Sequence, residues 1–404
     1  MTAALQTALA ALGTAPLTEA SLREHIHRLF QRVLNQGPKE TYLANHSLGR
    51  PLDAMASDLA EGAAAWYSRL DDAWMPWWNE MTHWRTNTAQ LLGAARPDCI
   101  VPKTSAGQGL RAVLNHYDNT PRVLSTTGEF DSIDHILKQY QARNRAEVQW
   151  VGARDDGRYA VDDLIARLDG IDLVVVSHVF FATGQVLADV EKLIDAAHTA
   201  GARVMLDLYH SYGVIPVDIA ALGADYAIAG SYKYLRGGPG VCWLYVAPQH
   251  LADGAHTLDT GWFAKREPFA YARPVPPEFA EGGDAWMEST FNPLGFYQAR
   301  SGLALVSGLG VARLRAYSLA QKRALSAALA ARGIDHFGAD AAYGAYVTIP
   351  HADPMALAKR LHAAGINGDA RSAGLRLCPD ILTTSSDIEH AATVLHRVLA
   401  QPTA

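Results

Sequence analysis

The order of apolar and polar positions divides the chain into stretches of different rhythm. From Leu52 to Leu70 (LDAMASDLAEGAAAWYSRL) apolar residues recur at helical intervals, and from Met81 to Ala95 (MTHWRTNTAQLLGAA) they do so again. Between them lies AWMPWWNE, interrupted by Pro76. At Cys99 the rhythm changes. Seven short apolar runs follow: CIVPKT, RVLSTT, EVQWVG, DLVVVSHV, RVMLDL, YAIAGS and VCWLYV. Turn residues bound them, and helical patterns such as ADVEKLIDAAHTA separate most of them. Runs of Val, Ile and Leu without strict alternation predict strands buried on both faces. The strand, helix, strand repetition predicts an α/β fold around a mostly parallel seven-stranded sheet. YAIAGS and VCWLYV are too close for a helical crossover, so an antiparallel pair is expected there.

The segment from Leu251 to Pro293, rich in Gly, Pro and aromatics, reads as a long irregular loop. The stretch after it predicts one or two long helices. From about Gly333 a smaller α+β unit is expected: AYVTIP as a strand, DPMALAKRLHAAG as a helix, LRLCP as a strand and a last helix from Asp387. The expected division is an arm (1–45) packing with the small domain, a large α/β domain (46–295), and a linking helix with a small C-terminal domain (296–404).

Composition narrows the function. Of 404 residues, 49% are hydrophobic and 19% charged, which excludes a mainly disordered chain and leaves material for a sizeable core. A net charge of -6 offers no basic face, so no nucleic-acid partner is expected. No run of about 18 apolar residues exists, so no membrane span is expected. The N-terminal MTAALQTALAALGTAPLTEA lacks a basic leader and reads as a helical or flexible arm rather than a signal peptide. Cys99, Cys242 and Cys378 are isolated and odd in number, which argues against a disulfide framework or zinc ribbon and fits a cytoplasmic location. His25 and His27 are two apart and share no helix face, so no metal pair is expected. SGLGVARL lacks the preceding strand and third glycine of a dinucleotide site and reads as helix packing. Five of the nine tryptophans fall between Trp66 and Trp84, a cluster that reads as core or dimer packing before a substrate wall.

Two positions carry candidate chemistry. Asp207 ends RVMLDL, and Lys233 follows YAIAGS 26 residues later. Ligands of parallel α/β sheets gather at the carboxyl ends of strands, so both should face one crevice. A lone lysine there is usually solvated, and a lone aspartate can be a helix cap. Together they are what pyridoxal phosphate (PLP) needs: an amine for the aldehyde and a carboxylate for the pyridine nitrogen. In KTSAGQGL, Thr104 and Ser105 follow a strand and open a helix, whose amides and dipole suit a phosphate.

The run SYKYLRGGPG (Ser231 to Gly240) resembles the PLP-lysine motif of kynureninases, members of the class V aminotransferase group of fold-type I PLP enzymes. DLYHS (Asp207 to Ser211) resembles that family's D-L-A-H-S, and YLANHSLGRP (Tyr42 to Pro51) its N-S-L-G motif. TGQV, GWF and DARSAGLRLCP (Asp369 to Pro379) match in order and spacing. The resemblance implies Lys233 as the Schiff-base lysine and proton shuttle, and Asp207 as partner of the ring nitrogen. It places His210 near the ring oxygen, Tyr232 at the phosphate and in proton transfer, and Thr104 and Ser105 around the phosphate. Phe130 would stack on the ring, and Ser177 would support the cofactor's edge. Trp262 of a neighbouring subunit, with Thr290 from the STFNP loop, would reach the phosphate side, which implies a homodimer with a shared active site. Arg376, with a planar guanidinium, would clamp the substrate carboxylate, with His46 and Ser47 beside it; the residue reading alone leaves open a structural ion pair between Arg376 and Asp369.

Departures from the pattern fall near the substrate or the dimer seam. His46 stands where the family has Asn, Lys265 replaces a His after GWF, Phe291 sits in STFNP, and PDILTTSSD follows Arg376. The cysteine desulfurases of the same class use a loop cysteine where this chain has GINGDA, so persulfide transfer is disfavoured. The activity implied is hydrolysis of the Cβ–Cγ bond of L-kynurenine or a related γ-oxo amino acid. The alternative is an aminotransferase or β-elimination lyase acting on another amino acid.

Overall fold

The computed structural model describes residues 2–252 and 254–401. The seven apolar runs form one sheet: β1 (Ile100–Lys103), β2 (Arg122–Thr126), β3 (Glu147–Val151), β4 (Leu173–Ser177), β5 (Arg203–Asp207), β6 (Tyr226–Gly230) and β7 (Cys242–Val246). The order across the sheet is β1-β7-β6-β5-β4-β2-β3. β7 is antiparallel to both its neighbours, as expected beside β6, and the five strands from β6 to β3 are parallel. Every residue of β4, β6 and β7 is buried, whereas the edge strand β3 buries only its last. Helices on both faces supply that burial, at roughly 1.5–3 kcal/mol for each Val, Leu or Ile withdrawn from water.

Before the sheet lie α1 (Ala3–Leu12), α2 (Ala54–Arg69) and α3 (Trp74–Leu92). The third corrects an expectation: the helix starts at Trp74, not Met81. Pro76 lies in its first turn, where the leading N–H groups of a helix have no partner within it, so a missing one costs little. Two long helices follow the irregular loop, α4 (Pro293–Leu309) and α5 (Val311–Ala330), broken at Gly310. The break explains SGLGVARL: Gly310 takes φ +80°, and a Cβ on Gly308 would meet Leu9 of α1 at 2.3 Å. No single helix among the described residues is long and apolar enough to cross a membrane; α4 and α5 together have the composition but bend by 83°.

The C-terminal unit holds a three-stranded antiparallel sheet of β8 (Val347–Ile349), β9 (Asp369–Arg371) and β10 (Gly374–Leu377), with β10 central. α6 (Pro354–Ala363) and α7 (Ser385–Ala400) pack with it around Leu325, Val347, Leu361, Leu375 and Leu395. The two-residue strands Thr41–Tyr42 and Ile366–Asn367 pair in parallel and tie the N-terminal segment to this unit. The arm's Leu5, Leu22 and Phe30 share a cluster with Leu305 and Leu309 of α4 and with Ile381 and Leu382.

Candidate active site

Strand direction assembles the site. β1, β2, β4, β5 and β6 point the same way, so Thr104, the loop bearing Phe130, Ser177, Asp207 and Lys233 all emerge at one edge. Cys242 opens the reversed strand β7 and so joins them. A cavity of about 190 Å³ lies there, lined by Thr104, Ser105, Phe130, Ser177, Asp207, His210, Tyr232 and Lys233. Eight of the residues singled out in the sequence therefore meet in one cleft.

Lys233 is buried, and its Nζ donates to Nε2 of His210 at 2.7 Å. His210 Nδ1 in turn stands 3.3 Å from the Tyr234 hydroxyl. Burial lowers the Lys233 pKa against the opposing pull of Asp207, which favours the neutral, nucleophilic amine more than in an exposed lysine. Burial, then the positive charge of Lys233, pushes His210 well below the usual histidine range, which keeps the ring neutral. Asp207 Oδ1 accepts the Tyr209 amide at 2.8 Å, and burial raises the Asp207 pKa to about 6. Nζ of Lys233 lies 5.7 Å from the Phe130 ring centre and 5.4 Å from that of Tyr209, so two aromatic rings flank the amine.

At the mouth, Ser105 caps a nine-residue helix (Ala106–Leu114), its Oγ accepting from the Gln108 amide at 3.2 Å. Gln108 Oε1 accepts from both the amide and the hydroxyl of Thr104. A buried amine, a buried carboxyl at a strand end, an aromatic wall and a helix N-terminus in one cavity form a donor set that fits PLP. Lys233 would hold its aldehyde carbon, Asp207 its ring nitrogen, and Thr104, Ser105 and Tyr232 its phosphate.

Other expected residues lie outside this cleft. Trp262 Nε1 donates to Thr290 Oγ1 at 3.2 Å; Thr290 lines a neighbouring cavity that shares Thr104 and Gly240 with the first. Ser47 sits in a turn, its amide bonded to the Ala44 carbonyl, and does not line the cleft. Arg376 lies behind Phe181, 2% exposed, with its guanidinium on Asp369 and the Phe181 carbonyl. The ion pair left open by the sequence is therefore formed. His46 is fully buried against the Tyr346 ring, 3.5 Å from Asp369. Lys265 is bonded within its own loop to the Ala272 carbonyl, and Phe291 packs with Trp74, Trp78 and Phe263. None of the five clustered tryptophans lines the cleft.

Two residues of the site were not anticipated. Glu129, next to Phe130, is fully buried and accepts from Thr126 and Ser177, each at 2.6 Å. Burial outweighs those bonds and pushes its pKa up to about 7. Tyr209 stands where the family pattern has Ala and donates to Cys242 Sγ at 2.9 Å. Gly230 makes room for that ring: a Cβ there would stand 2.8 Å from it. The signal for Tyr209 lay in DLYHS itself, and that for Glu129 in its adjacency to Phe130.

The free cysteines are Cys99, Cys242 and Cys378, all buried. Burial raises the Cys378 pKa to about 12, so this thiol stays protonated beside Arg376.

Comparison with known proteins agrees with this geometry. A family model described as aminotransferase class-V matches residues 50–375. The chain is 26% identical to a kynureninase of Bacillus anthracis, over 92% of this chain and 91% of that one. It is 27% identical to a kynureninase of Pseudomonas fluorescens, over 90% of each. In fold it resembles a cysteine desulfurase from Thermococcus onnurineus NA1, with a TM-score of 0.79 at 16% identity, covering 92% of this chain and 97% of that one. The cysteine desulfurase CsdA of Escherichia coli gives 0.78 at 17%, over 95% and 99%. C-DES, solved with glycine covalently linked to its PLP cofactor, gives 0.78 at 18%, over 92% and 98%. The match over most of its length, on a sheet whose strand ends gather a buried lysine and aspartate, shows that the chain belongs to the class-V aminotransferase family of fold-type I, PLP-dependent enzymes.

Proposed function

We propose that the protein is a kynureninase-like hydrolase, cleaving the Cβ–Cγ bond of L-kynurenine or a related γ-oxo amino acid to alanine and an anthranilate-type acid. The observation that carries this reading is the similarity to kynureninases along nine-tenths of the chain, coupled to a cleft lined by both Lys233 and Asp207. PLP, when bound, supplies an aldehyde for the substrate amine and a ring that accepts electrons from the substrate carbons.

The chain's own residues supply the rest. His210 accepts from Lys233 and aims its amine into the cleft. Lys233 takes the proton from the substrate Cα and is placed to return it. Asp207, at the sheet edge, keeps the ring nitrogen protonated. Phe130 and Tyr209 limit water around the amine. Arg376 binds the α-carboxylate and so fixes which bond faces Lys233. Water adds to the γ-carbonyl; its hydroxyl leaves on the released acid, and Cβ receives a proton, for which Tyr232 is placed, to give alanine.

The working unit in this proposal is a homodimer in which Trp262 and Thr290 reach the cofactor phosphate of the other protomer. Two features support it. Both residues lie outside their own cleft. Trp262 also ends an aromatic seam through Trp74 and Trp77 to Trp66, which is 60% exposed beside the 88% exposed Tyr67. Such apolar area is characteristic of an interface.

An aminotransferase or β-elimination reaction on another amino acid is the second reading, favoured by the buried His46 beside Arg376 where the family has Asn. The test is direct. PLP-loaded protein is given L-kynurenine or 3-hydroxykynurenine, and the anthranilate product is followed by fluorescence. Turnover that disappears in Arg376→Ala establishes the hydrolase. Absence of turnover, with accumulation of aminated cofactor or release of pyruvate from other amino acids, establishes the second reading. Lys233→Ala should lose the visible absorbance of the covalently held cofactor, and persistence of that band would sink the assignment of Lys233.

A further inference from the structure

Arg376 is not free to receive a ligand. One arm of its guanidinium donates to Asp369 and another to the Phe181 carbonyl, while Nε has no partner among the described residues. The Tyr346 ring centre lies 5.2 Å from the guanidinium carbon, so an aromatic ring packs against the group. The pairing with Asp369 is built into the backbone: β9 and β10 form an antiparallel hairpin in which Asp369 and Arg376 are directly opposite. Cross-strand partners of opposite charge meet without further adjustment.

Asp369 has other partners. Its Oδ1 accepts from Arg371 Nη1 at 2.6 Å, and His46 Nε2 stands 3.5 Å from Oδ2. Neither nitrogen of the His46 ring completes a hydrogen bond among the described residues, although the ring is wholly buried. A buried polar group without a partner is unfavourable, so His46 stands to gain from a carboxylate that moves toward it.

We infer that Asp369 is a built-in stand-in for the substrate carboxylate: it occupies Arg376 in the empty enzyme and gives it up to the α-carboxylate of the incoming amino acid, turning onto Arg371 and His46. The inference rests on the proposed role of Arg376 as carboxylate clamp. Exchange leaves no charge orphaned, since Arg376 trades one carboxylate for another and Asp369 keeps Arg371. Breaking the pair without such replacement would leave a buried charge uncompensated. The unpartnered Nε gives an arriving carboxylate oxygen a first donor before Asp369 has left. Substrate choice follows: a ligand with a free carboxylate can displace Asp369, whereas an amide or ester cannot and leaves the latch closed.

The probe is L-alanine, which lacks the γ-carbonyl and is not cleaved, titrated into PLP-loaded protein and followed by the change in visible absorbance. Asp369→Asn keeps the shape and removes the competing charge of a buried pair, so it should tighten L-alanine binding by at least about ten-fold. L-alaninamide should gain nothing from the same change. Arg371→Ala removes the place to which Asp369 retires and should weaken L-alanine binding several-fold. If D369N does not fold, R371A decides alone. Equal or weaker binding in D369N, or unchanged binding in R371A, overturns the exchange. The Arg376→Ala control separates the two ideas. Wild-type binding in R376A overturns the clamp and the exchange together; lost binding in R376A without tightening in D369N overturns the exchange alone.

Discussion

Gly49 and Lys233 touch through their backbones: a Cβ on Gly49 would stand 2.0 Å from the Lys233 carbonyl oxygen, and the Gly49 amide donates to the Tyr232 carbonyl at 2.8 Å. The glycine of NHSLGRP is therefore a seat for the lysine loop. The motif near residue 49 and the motif near residue 233 are two halves of one contact, which is why both appear in the same sequence pattern.

Gly49→Ala should push the lysine loop away from the N-terminal segment. Overlap of this kind costs about 1–3 kcal/mol, or roughly 5- to 150-fold in an equilibrium. The loss should appear mainly in PLP affinity, measured by equilibrium dialysis, with far-UV circular dichroism unchanged. Unaltered affinity in a folded G49A protein would show that the lysine loop does not depend on this seat.

Behind the same loop, Asp380 joins three parts of the chain. Its carboxylate accepts from Arg50 of the N-terminal segment and, at 2.6 Å, from Arg236 of the lysine loop. Burial alone would raise its pKa, but the two guanidiniums outweigh that and hold the carboxyl well below the usual range. Asp380→Asn leaves two buried guanidiniums short of a charge and should cost about 3–5 kcal/mol, read as a fall in melting temperature. The sign follows from a depressed pKa. The stabilisation is present above the unfolded value of about 3.9 and is lost as pH falls through the lower folded value. Wild type and D380N should therefore converge in strong acid, and a gap that persisted there would remove the ion-pair explanation.

The strands and the lysine–aspartate pair were legible in the sequence because each rests on local chemistry: continuous apolar runs, and reactive residues at the ends of two of them. The Pro76 misreading has an equally local cause, since a proline that breaks a helix interior is harmless in a first turn. Glu129 and the closed state of Arg376 are different in kind. Nothing about a glutamate in GEFDS says that it turns inward beneath Ser177, because that depends on β2 and β4 being sheet neighbours. Likewise the Asp369–Arg376 pair depends on hairpin register, which is set by the turn at residues 372–373 rather than by either residue.

Glu129 lends itself to a test by pH. It is buried beside Asp207 and held by Thr126 and Ser177, and its pKa lies near 7 against an ordinary value of about 4.3. A carboxyl whose pKa is raised on folding binds its proton more tightly in the native state. Its stabilisation is fully present below about pH 4.3 and is lost as pH rises toward about 7, where the buried group must ionise. Gln keeps the shape and hydrogen-bonding capacity of the neutral acid but cannot ionise. Glu129→Gln apoprotein should therefore match wild type near pH 4 and become the more stable of the two by pH 7.5, by an amount on the order of a few kcal/mol. Thermal melting of both proteins across that range measures the gap. The Asp207 carboxyl, raised to about 6, should also titrate lower in the variant once the neighbouring negative charge is gone. A gap that is constant with pH would mean that Glu129 does not change charge in this window.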